Sequence, residues 1–453
     1  GHGGFQGIQV PGADLFGTEQ GGEAEKKEER AHGRTNQRAG GRGLMQNPAS
    51  GCVPGSQLAP SGALWLARPM STLPANVIEL CQALVRIPSV NPDGDPGTPH
   101  TGEHACAEFV GEFLRASGAE VFLDEVEPGR PNVIGRFPTR PAADGKPKRR
   151  IVFGPHTDTV SVGGMTIEPF SGEVRDGCVW GRGASDTKGP MASMLWALHE
   201  ARELIPTLPV EVHFAGFMSE ESAQLGSQHF AKNHGPYDLA IVGEPTELKT
   251  VFRHKGCLWA DIHTHGVAVH GATPERGVNA IVKMAGIVQG LDTEFRELLV
   301  EIGGVDEWLG SSTINLGMIK GGTRSNIVAD HCTLRVDMRT TPGLNRNGGA
   351  LAALTQFVHR IDPTATVEPL PETLPLDTDP SNPLVQRLIS CGAELTGAPW
   401  FCDAAFLAAE GTPAIAIGPG SIAQAHTKDE FIRCADLESG TAFFGHFLRS
   451  LAD

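Results

Sequence analysis

Five acidic and histidine side chains follow predicted strands in an order that would build a site for two metal ions. They are His156, Asp186, Glu221, Glu244 and His426, in the segments GPHTDTV, GRGASDTKG, SEESAQLG, VGEPT and GPGSIAQAHTKDE. Open α/β sheets place their chemistry in loops beyond the carboxyl ends of the strands. Because such loops meet at one crevice, we expect ligands that are far apart in the sequence to converge there.

The types of these side chains indicate which metals they would hold. Three carboxylates and two imidazoles, without a thiolate, suit zinc, cobalt or manganese at a catalytic site. Asp186 lies in the tight turn GRGASDTKG, so we predict that its two oxygens bridge the two ions. Each ion then has one further His and one Glu, with open positions for water and substrate. Paired cations lower the pKa of bound water toward about 7 and polarise a carbonyl.

Two neighbouring residues have predicted supporting roles. Glu220 precedes Glu221, and because adjacent side chains diverge, it is free to face the substrate as a general base, a role worth about 10²–10⁴-fold in rate. Asp158 lies two residues after His156. It is expected to accept the second imidazole N–H and so to fix the tautomer of the ligand.

The elements that must position these side chains form an α/β pattern from Pro74 onward. The segments RRIVFGPH, VEVHFAGFMSEE, YDLAIVGEP and TPAIAIGPG have the apolar character of strands. Segments such as GEHACAEFVGEFLRASG and GPMASMLWALHEARELI have apolar residues at helical spacing. Strands that alternate with helices predict a mostly parallel sheet covered by helices on both faces.

The pattern also predicts a division into parts. Residues 1–72 are rich in Gly, Gln and charge, lack apolar periodicity, and are expected to be a disordered extension. Residues 73–254 and 372–453 would form the two parts of a catalytic domain. Residues 255–371 follow the order βαββαβ, which suits an inserted ferredoxin-like α+β domain. Within it, His263 and His265 alternate along a predicted strand, point to one face, and are predicted to be surface residues.

Composition narrows the class of protein. The formal net charge of -16 argues against nucleic acid or an anionic membrane as a partner. No apolar run approaches the roughly 18 residues that a membrane helix requires. The nine cysteines are scattered without a CxxC pair, which is typical of reduced thiols in a cytoplasmic protein.

The segments named above, together with VFRHKG and HGATPERGVNAI, resemble a known family of dinuclear zinc deacylases and exopeptidases. This family includes acetylornithine deacetylase, succinyl-diaminopimelate desuccinylase and the glutamate carboxypeptidases. The resemblance extends from about Pro74 to the C-terminus. It implies a zinc-exopeptidase-like catalytic domain and an inserted dimerisation domain, and therefore a homodimer.

The resemblance also implies how the ligands divide between two divalent ions, with zinc expected and cobalt an alternative. One ion would be held by His156, Asp186 and Glu244. The other would be held by His426, Asp186 and Glu221. Glu220 would be the catalytic base, and Asp158 would support His156.

Three further roles rest on the resemblance alone. His270, in VAVHGATP, matches a histidine that enters the active site of the partner subunit and polarises the scissile carbonyl. Asn326 and Arg339 match polar positions that bind substrate. A guanidinium suits a carboxylate in two-point geometry.

Within the family, the segments GPGSIAQAHTKDEF and CDAAFL, the latter around Asp403, look most like acetylornithine deacetylase. The expected reaction is hydrolysis of an N-acyl amino acid, with N-acetyl-ornithine converted to ornithine and acetate in arginine biosynthesis. Succinyl-diaminopimelate, or another N-acyl amino acid or dipeptide, remains an alternative substrate. A non-catalytic metal-binding homologue is the alternative of a different class, although neither a ligand nor the base is missing.

Overall fold

The computed structural model describes residues 73–93, 100–141 and 145–452. The predicted disordered extension, residues 1–72, lies outside the described residues. The ordered pattern begins with a capped helix, because the Asn76 side chain accepts a hydrogen bond from the Glu79 backbone N–H at 2.9 Å.

The first segment alternates helices with strands. Its elements are α1 (Val77–Val85), α2 (His104–Ala116), β1 (Glu120–Glu127), β2 (Arg130–Arg136), β3 (Arg149–Pro155), β4 (Glu173–Arg175), β5 (Cys178–Trp180), α3 (Lys188–Glu200), β6 (Val210–Gly216), α4 (Leu225–His234), β7 (Leu239–Gly243) and β8 (Thr250–His254).

The second segment has a different order of strands and helices. Its elements are β9 (Gly256–His265), α5 (Ala280–Asp292), α6 (Glu294–Gly303), β10 (Thr313–Gly321), β11 (His331–Thr340), α7 (Pro342–Arg346), α8 (Ala350–Ile361) and β12 (Thr366–Thr373).

The third segment returns to the sheet of the first. Its elements are β13 (Leu376–Asp377), α9 (Pro383–Ser390), β14 (Leu395–Ala398), α10 (Ala404–Ala409), β15 (Ala414–Ala416), β16 (Phe431–Arg433) and α11 (Cys434–Ser450).

The first and third segments share one large sheet with the strand order β1-β2-β6-β3-β7-β15-β8-β13, and β14 pairs with β8. The central strands β6, β3, β7 and β15 are parallel. The margins are not uniformly parallel, since β1, β2 and β13 pair antiparallel. The predicted parallel sheet therefore describes the centre, where the strands are buried on both faces, and not the edges.

Side chains of β3 alternate between two hydrophobic cores, which explains why the sheet is covered on both sides. Ile151 and Phe153 pack into the larger core, which includes residues of α1, α3 and α11. Val152 packs into a second core on the opposite face, with residues of α4 and α10. Fully burying one such side chain stabilises the fold by roughly 1.5–3 kcal/mol.

The second segment forms a separate four-stranded antiparallel sheet in the order β10-β11-β9-β12. Alternate residues of β9, including Leu258, Ala260 and Ile262, pack into a core with α5 and α8. The other face of this sheet carries the intervening residues. The segment ERGVNAIVKMAGIVQGLDTEFRELLVEI, residues 275–302, has the pattern of one long helix. In the structure Thr293 interrupts it with non-helical angles and donates from its hydroxyl to the Gln289 carbonyl oxygen at 2.8 Å. Such back-bonding by threonine bends or ends helices.

No helix within the described residues combines the length and apolar character that a bilayer crossing requires.

Candidate metal centre

His156 lies directly after β3, at the carboxyl end of a central parallel strand. Its side chain is buried, with its Nε2 atom 3.1 Å from Asp186 Oδ1. Its Nδ1 atom lies 3.0 Å from the backbone carbonyl oxygen of Asp158. The contact of Nδ1 with a carbonyl oxygen favours a proton on Nδ1, which leaves the Nε2 lone pair facing Asp186.

Asp186 presents its two carboxylate oxygens to two different histidines. Oδ1 faces His156 at 3.1 Å and Oδ2 faces His426 Nε2 at 3.5 Å. Asp186 reaches this position from the small sheet β16-β5-β4 and not from a strand of the large sheet. The loop that carries it packs closely against the loop of His426, because a Cβ at Gly420 would lie 2.9 Å from the Ser185 hydroxyl.

His426 also lies farther from a strand than the sequence suggested, ten residues beyond the end of β15. Its backbone has φ +60°, a left-handed conformation that is uncommon outside glycine and concentrates at functional sites. The ring reaches Glu221, whose Oε2 lies 3.0 Å from Nε2. Hydrogen bonds with Asp186 and Glu221 raise the pKa of His426 to about 10.

Glu221 and Glu244 each have one buried carboxylate oxygen, Oε1, without a hydrogen-bond partner. Burial, together with the charge of Asp186, raises the pKa of Glu221 to about 7 and that of Glu244 well above its ordinary value. Buried, unsatisfied carboxylate oxygens next to further negative charge are costly unless a cation neutralises them. One ligand atom from each of His156, Asp186 and Glu221 lies within 4.8 Å of the others. This donor set fits divalent cations.

Glu220 directly precedes the candidate ligand Glu221 and is partly buried. Burial, together with the charge of Glu244, raises the pKa of Glu220 well above its ordinary value. A carboxylate with a raised pKa is suited to hold a proton between two steps of a reaction.

Asp158 is buried and organises the turn that carries Glu220 and Glu221. Its Oδ1 accepts the Glu220 backbone N–H at 3.0 Å, and its Oδ2 accepts the Glu221 backbone N–H at 2.9 Å. Asn91 donates to Oδ2 at 2.7 Å. The same carboxylate lies 3.4 Å from His156 Nδ1, so it contacts the imidazole and fixes the orientation of the two glutamates.

Glu430 was not singled out from the sequence, although it ends the segment TKDE only four residues after His426. It is fully buried and accepts backbone N–H groups from Gly183, Ser185 and Asp186, at 3.0, 2.8 and 2.9 Å. Arg182 adds a hydrogen bond at 2.7 Å. The only signal in the sequence was an acid close to a candidate ligand, which is too common to be informative.

His270 and Asn326 lie together on the inserted segment, apart from the five candidate ligands. The Gly271 backbone N–H donates to the Asn326 carbonyl oxygen at 2.8 Å, and His270 forms a β-bridge with Ile327. Both His270 and Asn326 are exposed. They therefore share one surface of this segment, available to a second molecule.

Arg339 lies near the end of β11, where the inserted sheet approaches the third segment. It pairs with Asp337 through Nε and Nη2, both at 2.9 Å. Its guanidinium carbon lies 5.6 Å from the centre of the Phe401 ring, two residues before the buried Asp403. Arg339 is therefore preorganised by an acid and an aromatic ring, with about a third of its side chain exposed.

Comparison with known proteins identifies a matching family and relatives of this chain. The model of peptidase family M20/M25/M40 matches residues 152–450. The chain is 31% identical over 334 residues to an acetylornithine deacetylase of Aliivibrio fischeri (strain ATCC 700601 / ES114), covering 71% of this chain and 85% of that protein. It is 30% identical over 388 residues to an acetylornithine deacetylase of Proteus mirabilis (strain HI4320), covering 82% and 96%.

Among solved structures, the fold is similar to that of aminopeptidase PepT from Bacillus cereus ATCC 10987. The TM-score is 0.67 at 20% identity, with 83% of this chain and 98% of that chain covered. This similarity confirms the predicted α/β class with a large, parallel-rich sheet of the zinc-exopeptidase type.

Proposed function

The chain belongs to peptidase family M20/M25/M40, and from that membership we propose that it is a metal-dependent deacylase of N-acyl amino acids. The enzyme class itself follows from the family, whose members hydrolyse amide bonds. The preferred substrate in this proposal is N-acetyl-ornithine, which gives ornithine and acetate. The support for this choice is that relatives named acetylornithine deacetylase match most of the chain at 30–31% identity.

The observation that carries the proposal is the position of Asp186 between two histidines. One carboxylate oxygen faces His156 and the other faces His426, as expected of a bridging ligand. We assign His156, Asp186 and Glu244 to one divalent ion, and His426, Asp186 and Glu221 to the other. Zinc is the proposed metal, because nitrogen and carboxylate oxygen without thiolate suit it, and cobalt prefers similar donors.

The residues around this centre supply the remaining parts of amide hydrolysis. Bound divalent ions would supply an acidified water and polarise the scissile carbonyl. Glu220 would take a proton from the water and return it to the nitrogen of the leaving amine. Asp158 would keep Glu220 in reach through the hydrogen bond to its backbone N–H.

Substrate binding is proposed for Arg339 and Asn326. Arg339 is already paired with Asp337, so its guanidinium group is oriented before substrate binds. A substrate carboxylate would bind the exposed part of this guanidinium in a charge-assisted contact. Asn326 would contribute from the exposed surface that it shares with His270.

We propose that the enzyme is a homodimer in which His270 completes the partner's site. The edge strand β10 exposes Met318 and Ile319, at 53% and 55% of their surface, and α5 exposes Val282 at 67%. An open strand edge beside apolar side chains is a surface that proteins usually cover. A second copy would cover it and bring an exposed His270 toward the neighbouring centre.

A reducing, cytoplasmic location is part of the same proposal. Support comes from the described part of the chain, where eight cysteines are free thiols. Such thiols persist where glutathione keeps them reduced.

A substrate panel tests this function. The purified enzyme is assayed with N-acetyl-ornithine, N-succinyl-diaminopimelate and several other N-acyl amino acids, with added zinc or cobalt and with a chelator. We expect N-acetyl-ornithine to give the highest kcat/KM, and the chelator to abolish turnover. Comparable rates on every substrate would contradict the narrow assignment. No turnover by a metal-loaded protein would favour a non-catalytic binder.

A further inference from the structure

Three histidines meet on the open face of the inserted four-stranded sheet. His263 and His265 are two residues apart on β9, so their side chains leave the same face. His331 of β11 lies directly opposite His265 in the antiparallel register. Directly opposed residues have Cβ atoms about 4.5–5.5 Å apart. The helices α5 and α8 cover the other face of this sheet, so the three imidazoles are outside its core.

The rings are already close to one another. The centres of the His263 and His331 rings are 5.4 Å apart, and those of His265 and His331 are 5.5 Å apart. His263 Nδ1 and His331 Nε2 also converge on one atom, the Thr333 hydroxyl oxygen, at 3.0 and 2.8 Å. Imidazole nitrogens are donors that late transition metals prefer.

One carboxylate and three basic side chains lie around this group, and two of the basic side chains are paired with acids. Glu368 of β12 places its Oε2 3.5 Å from His263 Nε2. Arg335, on the same face, is neutralised by a two-point pair with Asp261. Lys283 pairs with Asp362 at 2.9 Å. Lys320 lies opposite Thr333 in the register of β10 and β11.

Within one subunit, this histidine group is distant from the candidate catalytic centre. Arg339 lies at the opposite end of β11 from His331, eight residues away, or about 26 Å along an extended strand. Neither the assigned ligands nor the base belong to this group.

We propose that His263, His265 and His331 form a separate binding site for one divalent late transition metal ion, zinc, nickel or copper. The exposed rings of His265 and His331 turn about their side-chain torsions until the nitrogens reach about 2.0–2.1 Å from the ion. Glu368 supplies a carboxylate beside the ion, and a water completes its shell. Imidazole ligation selects these metals over magnesium and calcium.

Metal titration of the loaded enzyme tests this site. Wild-type enzyme is loaded with two equivalents of zinc, enough for the candidate catalytic centre alone, freed of unbound metal by gel filtration, and titrated with NiCl₂ by calorimetry. The H263Q/H331Q variant is treated in the same way. We expect the wild type to bind roughly one equivalent more than the variant, with unchanged kcat. The H104Q/H446Q variant, which removes two exposed histidines elsewhere, should match the wild type.

Spectroscopy gives a readout that a structural role would not change. One equivalent of Cu²⁺ added to the zinc-loaded wild type should give an electron paramagnetic resonance spectrum with splitting from imidazole nitrogens. H263Q/H331Q should lose that splitting. The single variant H265Q, which disturbs the face less, should weaken Ni²⁺ binding by about tenfold or more. Equal metal equivalents in the wild type and in H263Q/H331Q, with matching circular dichroism, would overturn the proposal.

Discussion

The carboxylate of Glu430 lies 2.9 Å from the backbone nitrogen of Asp186, although 244 residues separate them in the chain. The same carboxylate accepts two further backbone N–H groups of that loop. Because Glu430 follows His426 by only four residues, one turn carries a candidate ligand and also fixes the loop of another. The distance between Asp186 and His426 therefore depends on this buried acid.

Glu430→Gln should weaken metal binding. A glutamine has one acceptor oxygen instead of two and places an NH₂ group among N–H donors, so the Asp186 loop loses its anchor. Residues that orient metal ligands typically contribute about 10–100-fold to metal affinity or activity. The measurement is metal content after dialysis, together with kcat. Glu438→Gln, on the exposed side of α11, is the matched control. Unchanged metal content in Glu430→Gln would show that the Asp186 loop keeps its position without the Glu430 carboxylate.

Glu220→Gln should remove turnover and leave the metals in place. The amide cannot accept a proton, so kcat should fall by about 10²–10⁴-fold. The ligands are untouched, and the backbone N–H to Asp158 remains. Metal content by mass spectrometry and kcat are measured on one preparation. Activity near that of the wild type, with full metal content, would rule out Glu220 as the base.

Arg339→Lys should raise KM more than it lowers kcat. A lysine can neither keep the two-point pair with Asp337 nor form two parallel hydrogen bonds with a substrate carboxylate. The loss of a hydrogen bond between charged groups is worth about 1.5–3 kcal/mol, or about 10–100-fold in KM. Arg335→Lys is the control, because Arg335 makes an equivalent pair with Asp261 on the same face. If both variants change KM equally, the effect belongs to the sheet and not to substrate binding.

Mixing two inactive variants should restore activity if His270 acts across a dimer. In a mixed dimer of Glu220→Gln and His270→Ala, one site has its own Glu220 and the partner's His270. Random pairing should therefore recover about one quarter of wild-type activity. Coexpression and assay of the mixture provide the test. Pairing His270→Ala with the double variant E220Q/H270A leaves no intact site and is the negative control. A mixture no more active than its separate components would place His270 in its own subunit's site or outside the reaction.

Stability should fall in mild acid partly because of His213. Burial, with Arg136 and Arg150 nearby, lowers the pKa of His213 to about 4, against about 6.5 in the unfolded chain. Between these values the unfolded chain binds the proton and the folded chain does not, so the free energy of unfolding decreases as pH falls from 6.5 toward 4. Protonation of His213 in the unfolded chain should lower the free energy of unfolding by about 2 kcal/mol between pH 7.5 and pH 5.

The measurement for His213 is urea unfolding at the two pH values. His213→Gln can keep the contact with the Tyr237 hydroxyl, which lies 2.9 Å from the imidazole, but it cannot titrate. Between pH 7.5 and pH 5, the free energy of unfolding of His213→Gln should fall by about 2 kcal/mol less than that of the wild type. His104→Gln, at an exposed site, should lose as much as the wild type. Identical pH dependence in all three proteins would contradict the assignment.

The sequence predicted the parts of the molecule that local patterns encode. The apolar run before His156 predicted a buried central strand. The change after His254 from alternating strands and helices to the order βαββαβ predicted a different kind of sheet. Side-chain polarity and spacing act over a few residues, so they are visible without a fold. The break at Thr293 was missed because a single threonine is compatible with either one helix or two.

The sequence by itself determined which residue types could hold cations and which strands would carry several of them. Only the tertiary structure decided that Asp186 turns its two oxygens toward different histidines, that Asp158 holds the two glutamates by their backbone, and that Glu430 anchors the loop of Asp186. The histidine group of β9 and β11 likewise depends on strand register. These relationships join residues that are far apart in the chain, and their distances result from packing the whole core, which no local pattern specifies.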